Sequence, residues 1–311
     1  MSIRQTISLL HQASHQAFPV GRNGSVLKRF KFMIRSWPNR RFNLVWFDLL
    51  RSDDFMRRLA EHDHRIYRKL YRPYLSASWD KARTLEVLRA NYAFFRRILP
   101  AATLEAVFLT DSFRLAEWTA NRTYILRLTH DTRFYQEGEV TISLLCPELG
   151  EGELALLSAS VAPADDGTLV FYIGGLQGAD RALGIPAIKD AGRDLHGLRP
   201  KSMVVIAAQL LASRLGCRRI LATTAACHAY STDDRRSNRE RQKMFFDYDS
   251  FWEECGGVPG DGAFLALPLT TARRSREDMK PQKRPMYVRR YAMLDEIEAG
   301  VSHAITPTFV P

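Results

Sequence analysis

The sequence Leu169-Val-Phe-Tyr-Ile-Gly-Gly-Leu-Gln-Gly178 joins five apolar residues to a cluster of glycines. Residues 169–173 include β-branched and aromatic side chains, which predict a buried strand. We expect Gly174, Gly175 and Gly178 to form a tight turn, because glycine accepts a positive φ and lets other groups approach the backbone. Such a turn between a strand and a helix can also direct backbone N–H groups toward an anion. The spacing alone leaves both interpretations open, a simple turn or an anion-binding turn.

Two helices and another strand are predicted after the glycines. The ranges 186–195 and 200–215 each begin with proline, and Gly216 follows the second. Proline at the start and glycine just past the end are typical of helix termini. Residues 218–226 are the next apolar run. Strand, helices and strand together predict a right-handed crossover unit.

Before the glycines, apolar runs separated by Gly and Asp predict a mostly antiparallel meander. Asp166-Gly167 between two such runs is typical of a hairpin. The candidate strands in this part of the chain are 104–109, 113–119, 124–128, 139–146, 153–161 and 168–173. With a late strand at 264–267, the pattern predicts an α+β fold with a mixed, mostly antiparallel sheet.

Positive charge is concentrated at the two ends of the chain. Residues 1–100 carry 20 Lys and Arg against 7 Asp and Glu, a net charge of +13, and their apolar residues recur at helical spacing. Residues 271–291 carry 8 basic against 2 acidic residues. We therefore predict a basic helical region of three or four helices over 1–100 and an α/β core over 101–270, which includes a charged loop at 231–243. A basic helix and tail are predicted over 271–311, with the helix at 286–299. A basic surface favours an anionic membrane surface or an acidic ligand, ahead of nucleic acid.

The composition is that of an ordinary globular protein. The chain has 311 residues, of which 46% are hydrophobic and 25% are charged. Its apolar runs are shorter than the roughly 18 residues of a spanning helix, and its first residues lack the pattern of a signal peptide. We expect a cytoplasmic protein with peripheral association at the inner membrane. The four cysteines lack metal-ligand spacing and are expected to be free buried thiols, so no metal site is predicted.

Two groups of polar residues are candidates for chemistry in the core. His196 precedes Arg199 and Lys201 at a predicted helix N-terminus, where charge and free N–H groups can hold an anion. The alternative is a loop histidine that caps a helix. His228 and Tyr230 follow the end of a predicted central strand, where ligands of open α/β sheets often bind. Either residue can act as an acid or base, or form a structural hydrogen bond.

The predicted helix 248–255 carries a phenol and three carboxylates, from Tyr248, Asp249, Glu253 and Glu254. If this helix faces the sheet edge, an acid and base pair is available there. If it does not, its aromatic residues pack and its acids are solvated. Nucleotide hydrolysis of the Walker type is excluded because no lysine follows the glycines, and the serine-hydrolase elbow and the zinc-protease motif are also absent.

Several of these stretches resemble the VirK/YbjX family of bacterial proteins. The resemblance covers roughly residues 26–299, and Asn91-Tyr92 stands where the family pattern has a His-Tyr pair. It implies a Gram-negative cytoplasmic protein linked to virulence, envelope stress or resistance to cationic peptides, and it implies no reaction. The matching stretches are Arg72-Pro-Tyr-Leu75, Glu137-Gly-Glu139, Ile173-Gly-Gly-Leu-Gln-Gly178, His196-Gly-Leu-Arg-Pro-Lys201, His228-Ala-Tyr230, Asp247-Tyr-Asp-Ser-Phe-Trp-Glu-Glu254, Leu267-Pro268 and Tyr287-Val-Arg-Arg-Tyr291.

The order of elements over 101–270 is also similar to that of acyl-CoA N-acyltransferases (GNAT-like). That similarity implies that Gln177 and Gly178 lie at a pyrophosphate loop and that Tyr230 or Tyr248 is a general acid. The chain departs from the pattern because two helices separate the strands and the glycine signature is incomplete. Two hypotheses follow: a non-catalytic regulatory or membrane-docking protein, or an enzyme that transfers an acyl group from acyl-CoA or an acyl carrier to an amine or envelope precursor.

Overall fold

The computed structural model describes residues 2–19, 25–231, 247–262 and 264–306. Within these ranges, strands and helices combine into an α+β fold, as predicted. The strands are β1 (Arg114–Thr119), β2 (Thr123–Thr129), β3 (Val140–Leu145), β4 (Glu153–Pro163), β5 (Leu169–Gln177), β6 (Arg219–Thr223), β7 (Val258–Pro259) and β8 (Phe264–Leu267). The α-helices are α1 (Ile3–Ala17), α2 (Ser25–Ser36), α3 (Arg40–Ser52), α4 (Asp54–His62), α5 (Lys81–Ile98), α6 (Ala101–Phe108), α7 (Gly184–Asp194), α8 (Pro200–Arg214), α9 (Tyr248–Glu254) and α10 (Arg284–Ala304). Short 3₁₀ segments span His64–Tyr71, Thr132–Phe134, Pro147–Leu149 and Pro281–Lys283.

All eight described strands belong to one sheet, in the order β1-β2-β3-β4-β5-β6-β8-β7. β1 to β5 pair antiparallel as the predicted meander, and Gly167 turns the chain between β4 and β5 with a φ of +78°. β5 and β6 are parallel and are joined through α7 and α8, which confirms the predicted crossover from strand through helices to strand. β8 then pairs antiparallel with both β6 and β7.

The centre of the sheet is covered on both faces. Every residue of β4 between its two ends is buried, and successive residues of a strand point to opposite faces. Helices α5 and α8 both pack against this strand. Helix α8 is itself apolar on most of its surface, which is the pattern of a helix enclosed within a core.

The predicted strand at 104–109 is wrong, because this stretch forms most of α6. Leu104, Val107 and Phe108 are buried at helical spacing, and Pro100 occupies the position before the first turn. The same residues also read as an apolar run of strand length. A short apolar run does not distinguish a strand from one buried turn of helix.

The first hundred residues contain more helices than the three or four predicted: α1 to α5 and one 3₁₀ segment lie in their described part. Aspartates divide the chain there. Asp53 accepts a hydrogen bond from the N–H of Met56 at 3.0 Å and begins α4. Asp63 accepts from the N–H of Arg65 at 2.9 Å and begins the 3₁₀ segment.

The chain after the sheet ends in α10, which packs on β1 and on α8. The helix predicted at 286–299 is confirmed and is longer than expected. The division into segments 1–100, 101–270 and 271–311 stays a prediction. The charged loop predicted at 231–243 lies, apart from Ser231, outside the described residues. None of the described helices combines the length and apolarity needed to cross a bilayer.

Candidate functional site

The pairing of β5 with β6 ends at Ile173, and Tyr248 lies beside the part of β5 that continues beyond it. Ile173 is the last residue of β5 that pairs with β6, although β5 continues beyond it. The N–H of Leu176 donates to the Tyr248 hydroxyl at 3.4 Å, and this hydroxyl is 3.2 Å from the Leu176 carbonyl oxygen, which accepts from it. Burial, followed by the nearby Glu137, raises the pKa of Tyr248. The phenol is therefore a protonated group at neutral pH.

Gly174 and Gly175 are strand residues, so the predicted glycine turn at 174–178 is wrong. Both belong to β5, where a β-bulge interrupts the pairing with β4. A Cβ on Gly174 would overlap the backbone carbonyl of Glu137, and a Cβ on Gly175 would overlap the Glu137 carboxylate. The glycines are required because another segment of the chain crosses the sheet directly above them. They bring a carboxylate onto the strand.

The buried side chains of His228 and Glu137 face each other, with Nε2 of the histidine 3.9 Å from Oε1 of the glutamate. The N–H of Tyr230 donates to Nδ1 of His228 at 3.2 Å. Nε2 therefore carries the proton of the neutral imidazole. The imidazole stacks on the ring of Tyr248 with 5.3 Å between centroids, and the Tyr230 ring lies at the same distance. One carboxylate, one imidazole and two phenols meet at this place.

The segment after Arg72 holds these groups in register. The N–H of Leu75 donates to the carbonyl of Gln136 at 2.8 Å, directly before Glu137. One residue later, Ser76 forms an antiparallel β-bridge with His228. The same short segment therefore contacts both the glutamate and the histidine side of the cluster, which fixes their separation.

A second buried polar network begins two residues after Glu137. Nζ of Lys69 donates to Oε1 of Glu139 at 2.5 Å, and both side chains are fully buried. The hydroxyl of Tyr92 donates to the other carboxylate oxygen of Glu139, and Lys69 also donates to the carbonyl of Tyr135 at 2.6 Å. A buried charge pair of this kind is tolerated only when its remaining hydrogen bonds are made. The network joins the 3₁₀ segment and α5 to the sheet.

The amine of Lys201 lies beside the end of β5. A Cβ on Gly178 would be 3.1 Å from Cε of Lys201 and 3.7 Å from Nζ. Burial, followed by Arg199, lowers the pKa of Lys201 to about 8. Arg199 itself pairs with Glu254 at the end of α9. The first turn of α8 thus combines a partly neutral amine with N–H groups that lack partners within the helix.

Three kinds of proton-transfer group are therefore available around the end of β5. Glu137 is a candidate proton acceptor, Tyr248 is a candidate donor, and His228 lies between them. Gln177, Gly178 and Lys201 stay predicted contacts of an anionic group. Among the described residues, no cluster of three or more His, Cys, Asp or Glu side chains could hold a metal ion.

The family described as protein of unknown function (DUF535) matches residues 22–303 of the 311. The chain belongs to this family. The resemblance to VirK/YbjX predicted from the sequence is thereby confirmed. The chain is similar to the uncharacterized protein YbjX of Escherichia coli strain K12. The two sequences are 33% identical over 273 residues, which cover 87% of this chain and 81% of that protein. An uncharacterized protein of Haemophilus influenzae is 27% identical over 210 residues, covering 62% of this chain and 68% of its own length.

The DUF535 fold unites only some of the residues predicted to act together. His228, Tyr230 and Tyr248 lie in one cluster, whereas Glu253 is exposed on α9. Asp249 accepts a hydrogen bond from the N–H of Ala225 at 2.9 Å. This bond gives Asp249 a structural role, because Ala225 lies at the start of the turn that leads to His228. The roles assigned to these residues in catalysis stay predictions.

His196 contacts the C-terminal helix. It has a φ of +52°, and its carbonyl accepts from Nε and Nη2 of Arg290 at 3.0 and 2.6 Å. Burial, followed by Arg289 and Arg290, lowers the pKa of His196. The imidazole is therefore neutral at pH 7, and the contact holds α10 against the loop between α7 and α8.

Glu137 is the residue of the site that sequence reasoning missed. The stretch Glu137-Gly-Glu139 is part of the VirK/YbjX resemblance, which assigns no chemistry to it. Its signal was indirect, because Gly174 and Gly175 leave room for it from a distant part of the chain. Asn91, at the position of the expected family histidine, is buried and accepts from the N–H of Val161 at 2.8 Å.

Proposed function

We propose that this protein docks on the surface of an anionic membrane through α2. The observation that carries the proposal is the exposure of large apolar side chains on that helix. Val26 is 76% exposed, Leu27 58%, Phe30 60% and Ile34 56%. A patch of apolar side chains on a solvent-exposed face is typical of a site that contacts a membrane or another protein.

Successive residues of a helix are about 100° apart around its axis. At this spacing, α2 and the following residue, Trp37, form three sectors. One sector faces the core, through buried Phe32 and Ser36. A second sector is apolar and exposed, and we call it the apolar stripe: it consists of Leu27, Phe30, Ile34 and Trp37. A third sector, beside the stripe, is cationic: it consists of Lys28, Lys31 and Arg35.

Helix α1 also exposes large apolar side chains. It packs on α2, and Ile3 and Ile7, one turn apart, are 70% and 45% exposed. A basic amphipathic helix with bulky apolar residues lies in the interface of a bilayer, where its apolar face enters the headgroup boundary. Cationic side chains beside it add attraction to anionic headgroups. The expected site of action is the cytoplasmic surface of the inner membrane.

The test is flotation of the full-length protein with vesicles of phosphatidylcholine alone or with phosphatidylglycerol added. The double variant Phe30→Asp/Ile34→Asp is expected to lose flotation at every salt concentration. Ile185→Asp, an equally exposed apolar residue on α7 (68%), is the matched control and should float like the wild type. Lys31→Glu/Arg35→Glu is expected to weaken binding at low salt and to differ less at high salt. Equal flotation of all variants would rule out α2 as the contact.

An acyltransferase is the second candidate function, and the observation that favours it is the parallel pair of β5 and β6, whose pairing stops at Ile173 while β5 continues. The antiparallel meander followed by a parallel strand pair joined through helices supports the comparison with the order of elements in acyl-CoA N-acyltransferases. In this proposal, acyl-CoA supplies the acyl thioester. The amine nitrogen bonds to the thioester carbonyl carbon and the C–S bond breaks. Glu137 accepts the proton that the amine loses, and the Tyr248 hydroxyl protonates the leaving thiolate. Gln177, Gly178 and Lys201 contact the phosphates.

Thermal unfolding with acyl-CoAs at two salt concentrations tests this second function. A ligand at about 100 times its Kd raises stability by roughly 2.7 kcal/mol. We expect stabilisation that persists in high salt and disappears in Gly178→Trp. Release of free thiol from acyl-CoA in the presence of amines should fall at least tenfold in Tyr248→Phe. Absence of stabilisation by any acyl-CoA would contradict the proposal, while leaving membrane docking untouched.

A further inference from the structure

A histidine and an aspartate face each other inside the protein, where the N-terminal helices meet the sheet. His130 directly follows β2, Asp63 lies between α4 and the 3₁₀ segment His64–Tyr71, and both side chains are buried. Nε2 of His130 lies 3.7 Å from Oδ2 of Asp63. Among the residues that the structure describes, neither of these two atoms has a hydrogen-bond partner.

Both nitrogens of the imidazole face hydrogen-bond acceptors. Nδ1 of His130 lies 2.8 Å from the carbonyl oxygen of Glu139. A carbonyl oxygen only accepts, so Nδ1 carries a hydrogen and donates it. A neutral imidazole then has a lone pair at Nε2, which faces the carboxylate of Asp63, a second acceptor. The other neutral tautomer moves the same conflict to Glu139, so one of the two contacts is repulsive whenever the ring is neutral.

One additional proton on the ring removes this conflict. An imidazolium donates from both nitrogens, to the carbonyl of Glu139 and to the carboxylate of Asp63 together. Nε2 and Oδ2 are both buried away from solvent, so water does not supply the missing hydrogen from outside. The geometry therefore favours a charged His130.

The charges on the sheet side do not replace that proton. Glu139 pairs with Nζ of Lys69 at 2.5 Å, so these two charges offset each other. Burial opposes a charged imidazole, but the contact with Asp63, followed by the charge of Glu139, raises the pKa of His130 above its ordinary value. Lys69 acts in the opposite direction. Burial also opposes ionisation of Asp63, but His130 lowers the pKa of that carboxyl. The two groups stabilise each other's charged form.

The groups that approach the imidazole from α6 and from its own strand end do not oppose the positive charge. Phe108 of α6 contacts the ring with 5.8 Å between centroids. Burial raises the pKa of Asp111, which follows α6, and the charge of His130 opposes that rise. Asp131, the next residue along the chain, is paired with Arg133 at 2.6 Å.

The contact between Asp63 and His130 holds one end of the 3₁₀ segment on the sheet. Oδ1 of Asp63 accepts from the N–H of Arg65 at 2.9 Å and so begins the segment. Lys69 attaches the segment near its other end, through Glu139. The segment packs in turn against α1, α3, α4 and α5. A change at Asp63 therefore acts on the helices that surround the segment.

We propose that Asp63 and His130 form a pH-sensitive salt bridge, whose buried proton holds the 3₁₀ segment on the sheet and whose loss as pH rises loosens that segment. The direction follows from linkage. A histidine whose pKa is higher in the folded protein contributes its full stabilisation below its unfolded pKa, about 6.5, and loses it as pH rises through the folded pKa. The salt bridge is therefore complete between about pH 4, where a free aspartate ionises, and about pH 6.5. It depends neither on membrane docking nor on acyl transfer.

Asp63→Asn tests the salt bridge with a minimal change. The amide oxygen can still accept from the N–H of Arg65, and the amide nitrogen can donate to a neutral imidazole, so the contact no longer needs the proton. Urea denaturation from pH 6 to 9 should show that the folding equilibrium constant of the wild type falls relative to that of the variant, by up to about tenfold per pH unit. Asp80→Asn, which removes the carboxylate that caps α5 on the N–H of Arg83, is the matched control and should follow the wild type. Parallel curves for Asp63→Asn and the wild type would overturn the proposal.

Nuclear magnetic resonance of the imidazole nitrogens detects the proton directly, and it tests the proposal on the wild type even if Asp63→Asn does not fold. His130→Gln identifies the signals of His130 by their disappearance. In the wild type, both nitrogens should be mainly protonated at pH 6.5, with a midpoint at higher pH. In Asp63→Asn the midpoint should move below about 6.5, because burial then acts without the opposing carboxylate. A wild-type ring that is mainly neutral at pH 6.5 would overturn the proposal.

Hydrogen exchange shows whether loss of the proton acts locally. Protection factors, which correct for the intrinsic pH dependence of exchange, should fall between pH 6.5 and 9 in the 3₁₀ segment and α4 of the wild type, and stay constant in Asp63→Asn. Helix α8, which packs on β3, β4 and β5, is the internal control and should keep its protection. An equal loss of protection in α8, or the same loss in Asp63→Asn, would contradict a local salt bridge that holds the segment.

Discussion

Nε2 of His228 lies 3.9 Å from Oε1 of Glu137, and the glycine at position 175 leaves the space for that carboxylate. Three distant segments of the chain meet in this relationship: the one that carries the glutamate, strand β5, and the turn after β6. The glycines of β5 are therefore explained by a contact across the fold. Their substitution is expected to act through Glu137.

Gly175→Ala is expected to lower the free energy of unfolding by about 1–3 kcal/mol, because its new methyl group overlaps the Glu137 carboxylate. Urea denaturation at unchanged m value measures the loss. Gly178→Ala is the matched control, because its methyl group would meet only the flexible end of Lys201 at 3.1 Å.

The overlap between a methyl group at position 175 and the Glu137 carboxylate predicts that substitutions at these two positions are energetically coupled. Glu137→Ala removes the overlapping atoms, so the double variant Glu137→Ala/Gly175→Ala should lose less stability than the sum of the two single variants. Strict additivity would mean that the methyl group is accommodated in some other way and would contradict this account of Gly175.

The buried pair of Lys69 and Glu139 predicts a large asymmetry between single and double variants. Lys69→Met leaves a buried carboxylate without its cation and is expected to cost about 3–5 kcal/mol. Lys69→Met/Glu139→Gln removes both charges and should recover most of this loss. Arg51→Met, which breaks an exposed pair with Asp48, should cost no more than about 1 kcal/mol. Chemical denaturation measures the free energy of unfolding of the three variants. Equal losses of stability in Lys69→Met and Arg51→Met would contradict the predicted asymmetry.

The sequence predicted the sheet well because strand patterns are local. Apolar runs of the right length marked β1 to β6, and the prolines and Gly216 marked the ends of α7 and α8. The error at 104–109 arose because a short apolar run fits one turn of helix as well as a strand.

The candidate site was less predictable because its geometry depends on contacts between distant residues. Gly174 and Gly175 carry the local signal of a turn, and only the crossing of Glu137 shows why they are glycines in a strand. His228 and Tyr248 were found because they follow strand ends or open a helix. The exposed stripe on α2 was also hidden, because helical spacing does not reveal which apolar face meets the core.

Lys201 is expected to react as an amine at lower pH than an ordinary lysine. Burial, followed by Arg199, lowers its pKa to about 8, so the neutral and nucleophilic form grows as pH rises through that value. The extent of acetylation by limiting acetic anhydride, measured on the Lys201 peptide by mass spectrometry, should therefore follow a titration centred near pH 8. Labelling of exposed Lys189 in the same digest corrects for hydrolysis of the reagent.

Arg199→Gln provides the directional check on that titration. It removes a positive charge that lowers the pKa of Lys201, so the midpoint of labelling should move to higher pH. A midpoint that stays in place, or moves to lower pH, would show that Arg199 does not influence the amine.

Asn91 connects α5 to β4 by a single buried hydrogen bond, in which its Oδ1 accepts from the N–H of Val161 at 2.8 Å. Asn91→Leu keeps the side-chain volume but leaves that N–H without an acceptor, which is expected to cost about 1–3 kcal/mol. Asn39→Leu is the matched control, because the Asn39 side chain makes no capping hydrogen bond at the start of α3. Urea denaturation gives the stability difference, and hydrogen exchange should show faster exchange at the Val161 amide in Asn91→Leu. If both variants lose equal stability and this amide stays equally protected, the bond to Val161 contributes nothing to the packing of α5 on the sheet.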